Sequence, residues 1–182
     1  MKKQVKIVGF AGSLRKTSYN RGLLQAALEE MSAHGHLDVI DLSSLPLYNQ
    51  DEENHLVASV VDFKKKVREA DAILIATPEY NYSVPGVLKN AIDWGSRPYG
   101  DNSWEGKPVA IMGATMGLLG TARAQYHLRQ IFVGVNMQPL NRPEIMVSQA
   151  QNKFDESGQL TDPTVRQKIR ELLTALLSVV SG

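Results

Sequence analysis

The sequence of 182 residues contains no cysteine. A thiol nucleophile, a CxxC redox pair, a cysteine-ligated zinc ion and an iron–sulfur cluster are therefore excluded. It has only four histidines, and the two that lie close together, His34 and His36, fall in a predicted turn with no third ligand nearby. We therefore predict no metal site. Any redox chemistry of this chain must come from an organic cofactor.

The sequence also lacks a surplus of charge of either sign and a long apolar run. Twenty Lys+Arg against nineteen Asp+Glu leave a formal net charge of +1, whereas binding to nucleic acid requires a clustered basic surplus. The apolar stretch near the N-terminus is too short to span a membrane and makes a poor signal peptide. We expect a cytoplasmic protein with no nucleic-acid or membrane partner, folded as one domain over residues 1–182.

Apolar periodicity predicts strands that alternate with helices along the chain. The predicted strands cover residues 5–10, 37–42, 72–77, 108–114 and 144–148. The predicted helices cover about residues 24–31, 60–70, 85–94, 121–132 and 163–180. We expect Gly35 to end the first helix as a left-handed C-cap. Five strands that alternate with helices predict a three-layer α/β fold, with a parallel sheet covered on both faces.

The loop after the first predicted strand is rich in hydrogen-bond donors. It reads Gly12-Ser13-Leu14-Arg15-Lys16-Thr17-Ser18-Tyr19-Asn20 and leads directly into a helix. The N–H groups and the dipole at a helix N-terminus favour a phosphate. An ordinary capped loop is the alternative, but a cap needs only one such residue. The phosphate-binding motifs GxxxxGK[ST] and GxGxxG are both absent from the sequence.

The loop after the third predicted strand combines prolines with tyrosines. It reads Pro78-Glu79-Tyr80-Asn81-Tyr82-Ser83-Val84-Pro85-Gly86. A rigid loop with exposed amides and aromatic rings suits a flat heterocycle with polar edges, although either tyrosine could instead pack on neighbouring elements. The loop after the fourth strand, residues 113–121, has three glycines that would allow a ligand to approach the backbone closely. That third signal is weak by itself.

These loops would meet if the strand order is the flavodoxin-like 2-1-3-4-5. In that order the first and third strands are neighbours, and ligands bind beyond their carboxyl ends. A phosphate site would then face a site for a flat ring. A mononucleotide with a planar ring system fits this arrangement, and FMN fits best.

The two motifs together resemble the NADPH-dependent FMN reductase family. The similarity is most specific over residues 12–20 and 78–94 and extends over nearly the whole chain. It implies a flavodoxin-like fold and non-covalently bound FMN that is reduced by NADPH or NADH. It also implies acceptors such as quinones, azo compounds and chromate, and a homodimer or homotetramer. Residues 87–99 resemble the region of the family's subunit contact.

The resemblance also assigns residues to the cofactor. The FMN phosphate would be bound by Ser13, Arg15, Ser18 and Asn20, with Tyr19 beside it. The ring and its polar edge would be lined, largely through backbone groups, by Pro78, Glu79, Tyr80 and Asn81. The carbonyl side of the ring would lie near Thr115 and Gly117. No catalytic side chain is predicted, because the flavin carries the chemistry.

The expected activity is ping-pong transfer of hydride from NADPH through FMN to an oxidised small molecule. The main alternative is a flavodoxin-like electron carrier that docks on protein partners. Such carriers are strongly acidic, whereas this chain has a net charge of +1. A third interpretation is a regulatory or scaffold protein that binds FMN without turnover, and nothing in the charge pattern favours it.

Overall fold

A computed structural model describes residues 4–181, in which strands and helices alternate. The strands are β1 (Val5–Ala11), β2 (Gly35–Val39), β3 (Ala72–Ala76), β4 (Pro108–Ala114), β5 (Gln138–Pro139) and β6 (Ile145–Val147). The helices are α1 (Tyr19–Glu30), α2 (Ala58–Glu69), α3 (Gly86–Gly95), α4 (Ala122–Val135) and α5 (Pro163–Ser181). All neighbouring strands of the sheet pair in parallel. The predicted α/β class is therefore confirmed.

The sheet has the order β2-β1-β3-β4-β5, and β6 also pairs with β4. The predicted order 2-1-3-4-5 is confirmed, with one addition at the edge. The first two residues of β4 pair with β5, and Met112–Ala114 pair with β6. The predicted fifth strand is thus β6. Because β5 has only two residues, it is too short to produce an alternating pattern in the sequence.

The prediction for Gly35 is wrong, because this glycine is the first residue of β2 and caps no helix. Helix α1 ends instead with Met31 in an extended conformation, at φ −65° and ψ 128°. A Cβ atom at position 35 would lie 2.6 Å from the Met31 sulfur and 2.9 Å from a methyl group of Leu177. The glycine therefore serves close packing of α1 and α5 against the edge strand.

Helices cover both faces of the sheet, as expected for parallel strands. One face packs against α1 and α5 in a mostly aliphatic core that also contains Phe154. The other face packs against α2, α3 and α4 around an aromatic cluster of Phe10, Phe63 and Trp104. Strand β3 is buried along its whole length. Among the helices of residues 4–181, none has the length and apolar character needed to cross a bilayer.

Candidate functional site

The loops after β1, β3 and β4 begin side by side at one edge of the sheet. Ala11 lies opposite Ala76 in the strand register, and Ala76 lies opposite Met112. The pairing continues one residue further, because the Gly12 amide donates to the Ala76 carbonyl at 2.8 Å. A Cβ atom at position 12 would lie 3.3 Å from side-chain atoms of Pro78 and Pro85. The glycine therefore lets the first loop pass close to the prolines of the second.

The loop after β1, residues 12–20, wraps the N-terminus of α1 and is called the phosphate loop below. Ser18 is the N-cap, and its hydroxyl accepts a hydrogen bond from the backbone N–H of Asn20 at 3.2 Å. The guanidinium of Arg15 lies 5.1 Å from the centre of the Tyr19 ring. Arg15 and Lys16 are exposed and have no acidic partner among residues 4–181. The positive end of the helix and two unpaired cations make this loop a site for an anion.

Asn20 connects the phosphate loop to the end of β4. Its side chain is buried, and the side-chain nitrogen Nδ2 donates to the Ala114 carbonyl at 3.0 Å. Its amide oxygen accepts from the Ala114 N–H, also at 3.0 Å. The sequence gives no signal of this pairing, because 94 positions separate the two residues. The assignment of Asn20 to the phosphate remains a prediction.

The loop after β3, residues 78–86, is called the ring loop below and contains a tight turn of four residues, Tyr80 to Ser83. The Tyr80 N–H donates to the Ser83 carbonyl at 3.1 Å, and the Ser83 N–H donates to the Tyr80 carbonyl at 3.0 Å. Asn81 and Tyr82 have φ values of 48° and 68°, which is the pattern of a type I′ turn. Tyr80 is 51% exposed and Tyr82 is 69% exposed. Neither tyrosine is therefore a core residue, and both rings remain accessible to a ligand.

A hydrogen bond joins the two loops directly. The Ser13 hydroxyl lies 3.2 Å from the Tyr80 hydroxyl, and either oxygen can donate. Ser13 itself is buried. The turn is also fixed from the opposite side, since the Ser83 hydroxyl lies 2.9 Å from Nδ1 of His127 on α4. The phosphate loop and the ring loop therefore have a defined separation.

Glu79 joins the ring loop to the start of α4. One of its carboxylate oxygens accepts from the backbone N–H groups of Arg123 at 3.0 Å and Ala124 at 3.3 Å. The other accepts from Nε of Arg123 at 2.5 Å. Thr121, the N-cap of α4, supplies no side-chain cap. Glu79 thus performs this capping from another loop.

Arg123 is a site residue that the sequence does not reveal. It lies on α4, 44 positions from Glu79, and belongs to no recognisable motif. Its hydrogen bond with Glu79 raises the pKa of its guanidinium above the ordinary value, although burial opposes this shift. The guanidinium carbon lies 3.6 Å from the centre of the Tyr82 ring, which is the geometry of a cation–π contact.

The three glycines of the loop after β4 do not share one role. A Cβ atom at Gly113 would lie 2.0 Å from the Thr121 hydroxyl, and one at Gly120 would lie 2.6 Å from the backbone of Met146. These two glycines are explained by internal packing, which corrects the expectation that all three face a ligand. A Cβ atom at Gly117 would have no neighbour nearer than 3.8 Å. Gly117 alone leaves open space for a bound molecule.

Two adjoining cavities open between the three loops. The first has a volume of about 290 Å³ and is lined by Ser13, Arg15, Ser18, Tyr19, Asn20, Pro78, Glu79, Tyr80, Ala114, Thr115 and Met116. The second has a volume of about 320 Å³ and is lined by Glu79, Asn81, Tyr82, Thr115, Gly117, Leu118, Leu119 and Arg123. Glu79 and Thr115 border both cavities. All eleven residues that the sequence assigns to the cofactor thus line one cavity or the other.

The chemistry of the lining residues fits a phosphate joined to a flat ring. The first cavity has the cap of α1, hydroxyl groups and Arg15 near Tyr19. The ring loop adds the backbone N–H groups of Glu79 and Asn81, which have no acceptor among residues 4–181. Among residues 4–181, the only carboxylate that borders either cavity is that of Glu79, which is already paired with Arg123. A bound anion would therefore meet no uncompensated negative charge.

A parallel sheet of this order, with a site beyond β1, β3 and β4, is the flavodoxin-like fold, in which ligands bind at this edge of the sheet. The family model for NADPH-dependent FMN reductase matches residues 5–152. The chain belongs to this family. It is therefore an oxidoreductase that uses FMN and NAD(P)H, as the resemblance of its loops implies.

Individual relatives agree with this family. An NAD(P)H-dependent FMN reductase of Pseudomonas aeruginosa is 49% identical over 97% of this chain and 95% of that protein. An NAD(P)H:quinone oxidoreductase of Solanum tuberosum is 48% identical over 94% of this chain and 91% of that protein. Among solved structures, a flavoenzyme NAD(P)H:(acceptor) oxidoreductase from Paracoccus denitrificans superposes with a TM-score of 0.88. It is 33% identical and covers 97% of both chains.

Proposed function

We propose that this protein transfers hydride from NADPH, through bound FMN, to quinones and similar flat oxidised acceptors. The reaction is NADPH + H⁺ + quinone → NADP⁺ + hydroquinone, in two half-reactions of a ping-pong scheme. The observation that carries the proposal is the pair of cavities that share Glu79 and Thr115. Quinone reduction is also the named activity of relatives from Solanum tuberosum and Arabidopsis thaliana, the latter 44% identical over 97% of this chain.

The protein's own residues bind and orient, while bound FMN supplies the two-electron chemistry. Ser13, Arg15, Ser18 and Asn20 would bind the phosphate with the N-terminus of α1, and Asn20 also fixes this loop against β4. Backbone groups of the ring loop would contact the polar edge of the flavin, where negative charge develops on reduction. The remaining assignments to the ring are Pro78, Glu79, Tyr80, Asn81, Thr115 and Gly117, with Tyr19 beside the phosphate.

Several further properties belong to the same proposal. Residues 1–182 would form one FMN-binding domain, since no linker-like stretch divides them. The protein would act in the cytoplasm as a homodimer or homotetramer, with NADPH or NADH as donor. An electron-carrier role is less well supported, because an archaeal flavodoxin that superposes with a TM-score of 0.64 is only 11% identical and shares the fold alone.

An absorption spectrum followed by anaerobic titration with NADPH tests the proposal. The purified protein should be yellow, or become yellow with added FMN, and should bleach rapidly with NADPH. Initial rates at several quinone concentrations should give parallel double-reciprocal plots. A protein that stays colourless with excess FMN would refute the flavin site. A protein that stays yellow with NADPH would support the carrier alternative.

The substitution Arg15→Ala tests the phosphate site. Loss of a charge-assisted hydrogen bond should weaken FMN binding by about 1.5–3 kcal/mol, or about 10- to 150-fold in Kd. Fluorescence titration of the FMN-free protein measures this change. Lys65→Ala is the matched control, because Lys65 is an exposed cation on α2 that borders neither cavity. Equal FMN affinity in the two variants would remove Arg15 from the site.

A further inference from the structure

A third cavity opens beyond the ends of β1 and β2, on the side of β1 opposite β3. It has a volume of about 270 Å³ and lies between α1 and the segment that follows β2. It is lined by Ala11, Arg21, Leu24, Gln25, Leu28, Val39, Ile40, Asp41 and Leu42. None of these residues lines either of the two cavities assigned to the cofactor. This space, called the edge cavity below, is therefore separate from the flavin site.

The interior of the edge cavity is apolar. Leu24 and Leu42 are each 2% exposed, whereas Leu28 and Val39 are 39% and 42% exposed. Apolar side chains exposed around a concave surface are typical of a site that binds an apolar group. An apolar cavity of about 150 Å³ is large enough for benzene. The edge cavity can therefore accept a branched or aromatic side chain.

Two opposite charges flank this apolar interior. Nη2 of Arg21 lies 3.4 Å from Oδ1 of Asp41, and the two side chains are 38% and 58% exposed. Strong charge-assisted hydrogen bonds are shorter, at about 2.7–2.9 Å, and an exposed ion pair contributes little to stability. A ligand can therefore interact with both groups without disrupting a strong bond.

Each member of the pair keeps an atom that the protein does not use. Nε of Arg21 donates to the Ser13 carbonyl at 3.4 Å, and Oδ1 of Asp41 accepts from the backbone N–H of Ser43 at 3.0 Å. Within residues 4–181, Nη1 of Arg21 has no acceptor and Oδ2 of Asp41 has no donor. The hydrogen bond from Ser43 lowers the pKa of the Asp41 carboxyl, against the opposing effect of burial. The edge cavity thus offers a cationic donor and an anionic acceptor beside its apolar interior.

We propose that the edge cavity binds a free α-amino acid with a large apolar side chain. The carboxylate of the ligand accepts from Nη1 of Arg21, and its ammonium group donates to Oδ2 of Asp41. The apolar side chain packs against the leucines and Val39. A ligand with a single charge would bring that charge close to a like charge of the protein, whereas a zwitterion compensates both groups. Because the edge cavity shares no residue with the cofactor cavities, the inference does not rest on the proposed function.

Four ligands that differ by one group test the site, with isothermal titration calorimetry on the FMN-bound protein. The probe L-leucine has all three groups, 4-methylpentanoate lacks the ammonium group, 3-methylbutylamine lacks the carboxylate, and L-alanine has only a methyl side chain. Binding of L-leucine should be saturable, and loss of either charged group should weaken it about 10- to 150-fold, the factor for one charge-assisted hydrogen bond. Binding of L-alanine should be about 10- to 100-fold weaker, because less apolar surface is buried. No saturable binding of L-leucine, or equal affinities for all four ligands, would overturn the site.

The substitution Asp41→Asn separates the charge of this residue from its shape. The variant keeps Oδ1 and therefore the bond from Ser43. It should weaken binding of L-leucine and of 3-methylbutylamine about 10- to 150-fold, but it should not weaken binding of 4-methylpentanoate, which has no ammonium group. The control Asp38→Asn, at an exposed position of β2 outside the edge cavity, should change none of the affinities. Equal weakening of L-leucine and 4-methylpentanoate by Asp41→Asn would overturn the site.

A second variant, Val39→Trp, keeps the test valid if Asp41→Asn does not fold. The larger side chain would occupy the edge cavity and should abolish binding of L-leucine. Val179→Trp, at an exposed valine of α5 outside the edge cavity, is the matched control and should retain it. Unchanged affinity for L-leucine in Val39→Trp would overturn the site. The absorbance of FMN in the same samples reports cofactor binding separately, so a colourless wild-type protein contradicts the proposed function alone.

Discussion

The two ends of the site are fixed by different kinds of interaction. At the phosphate-loop end, neutral groups bond to backbone: Ser18 caps α1, and Asn20 pairs with Ala114. At the ring-loop end, a charged pair, Glu79 with Arg123, joins the ring loop to α4. Each end also carries an exposed or partly exposed cation, Arg15 at the first and Arg123 at the second, but only Arg123 is paired with a carboxylate. The connection to the rest of the fold is therefore made by neutral groups at the phosphate-loop end and by an ion pair at the ring-loop end.

Burial explains why each end uses its own chemistry. Ser18 and Asn20 are 3% and 2% exposed, and a neutral amide can be buried at low cost when its hydrogen bonds are made. A buried charge costs much more unless it is paired. Glu79 meets this condition through Arg123 and the N-terminus of α4. The site therefore buries neutral, hydrogen-bonded groups at one end and a paired carboxylate at the other.

The largest expected effect comes from breaking the neutral end with Asn20→Ala. Both the N–H and the carbonyl of Ala114 would lose their partner, at about 1–3 kcal/mol for each buried group left unpaired. Urea unfolding measures the loss of stability, which should not depend on salt. Asn152→Ala, at an exposed residue, should change stability by less than about 0.5 kcal/mol. Similar values for the two variants would contradict a structural role for Asn20.

Breaking the charged end with Glu79→Gln should have a smaller effect. The variant keeps one acceptor for the α4 N–H groups but leaves Arg123 without its counter-ion. We expect a loss of stability smaller than that of Asn20→Ala, because solvent screens the partly exposed guanidinium. Thermal unfolding at low and high salt measures this loss of stability. The difference in stability between Glu79→Gln and wild type should decrease as the salt concentration rises. The control is Glu156→Gln, which alters an exposed carboxylate outside any ion pair of residues 4–181. A loss of stability in Glu79→Gln that does not change with salt would count against the charged pair.

The bond that joins the two ends can be removed by Tyr80→Phe. This change deletes the hydroxyl that lies 3.2 Å from Ser13 but keeps the exposed ring. The net contribution of one such hydrogen bond is about 0.5–1.5 kcal/mol. We expect a loss of stability in this range and a matching decrease in FMN affinity, because the two loops would no longer be connected. Unchanged FMN affinity would show that the loops keep their separation without this bond. Tyr126→Phe, also at an exposed ring, is the control.

The smallest effect is expected outside the site, where α1 and α5 are joined by ion pairs. The hydrogen bond from Arg170 at 2.6 Å lowers the pKa of Glu30 below its ordinary value of 4.5, against the opposing effect of burial, and Arg166 lowers it further. A depressed carboxylate pKa contributes stability above pH 4.5 that is lost as the pH falls through the lower folded-state value. This contribution is about 0–1 kcal/mol.

The substitution Glu30→Gln should therefore reduce the loss of stability between about pH 5 and the acid limit of folding, a window set by the lowered pKa of this residue. Urea unfolding as a function of pH measures this slope. Glu52→Gln, at an exposed position, should leave the slope unchanged. A steeper acid slope in Glu30→Gln than in wild type would contradict the sign of the shift.

The secondary structure could be predicted well where a pattern repeats over several residues. Strand β3, buried on both faces, and α5, with its long apolar stripe, are typical cases. The prediction failed at the edge of the sheet. Gly35 looked like a helix cap because the sequence does not show that Leu177 packs against it, and β5 is too short to show a period.

The sequence by itself determined the alternation of strands and helices and the content of the loops that follow β1, β3 and β4. These features are local, because apolar periodicity and turn residues act over a few positions. Only the tertiary structure decided that Asn20 pairs with Ala114 and Glu79 with Arg123, across 94 and 44 positions. Such pairings depend on strand order and register, which bring distant residues together without leaving a pattern in the chain between them.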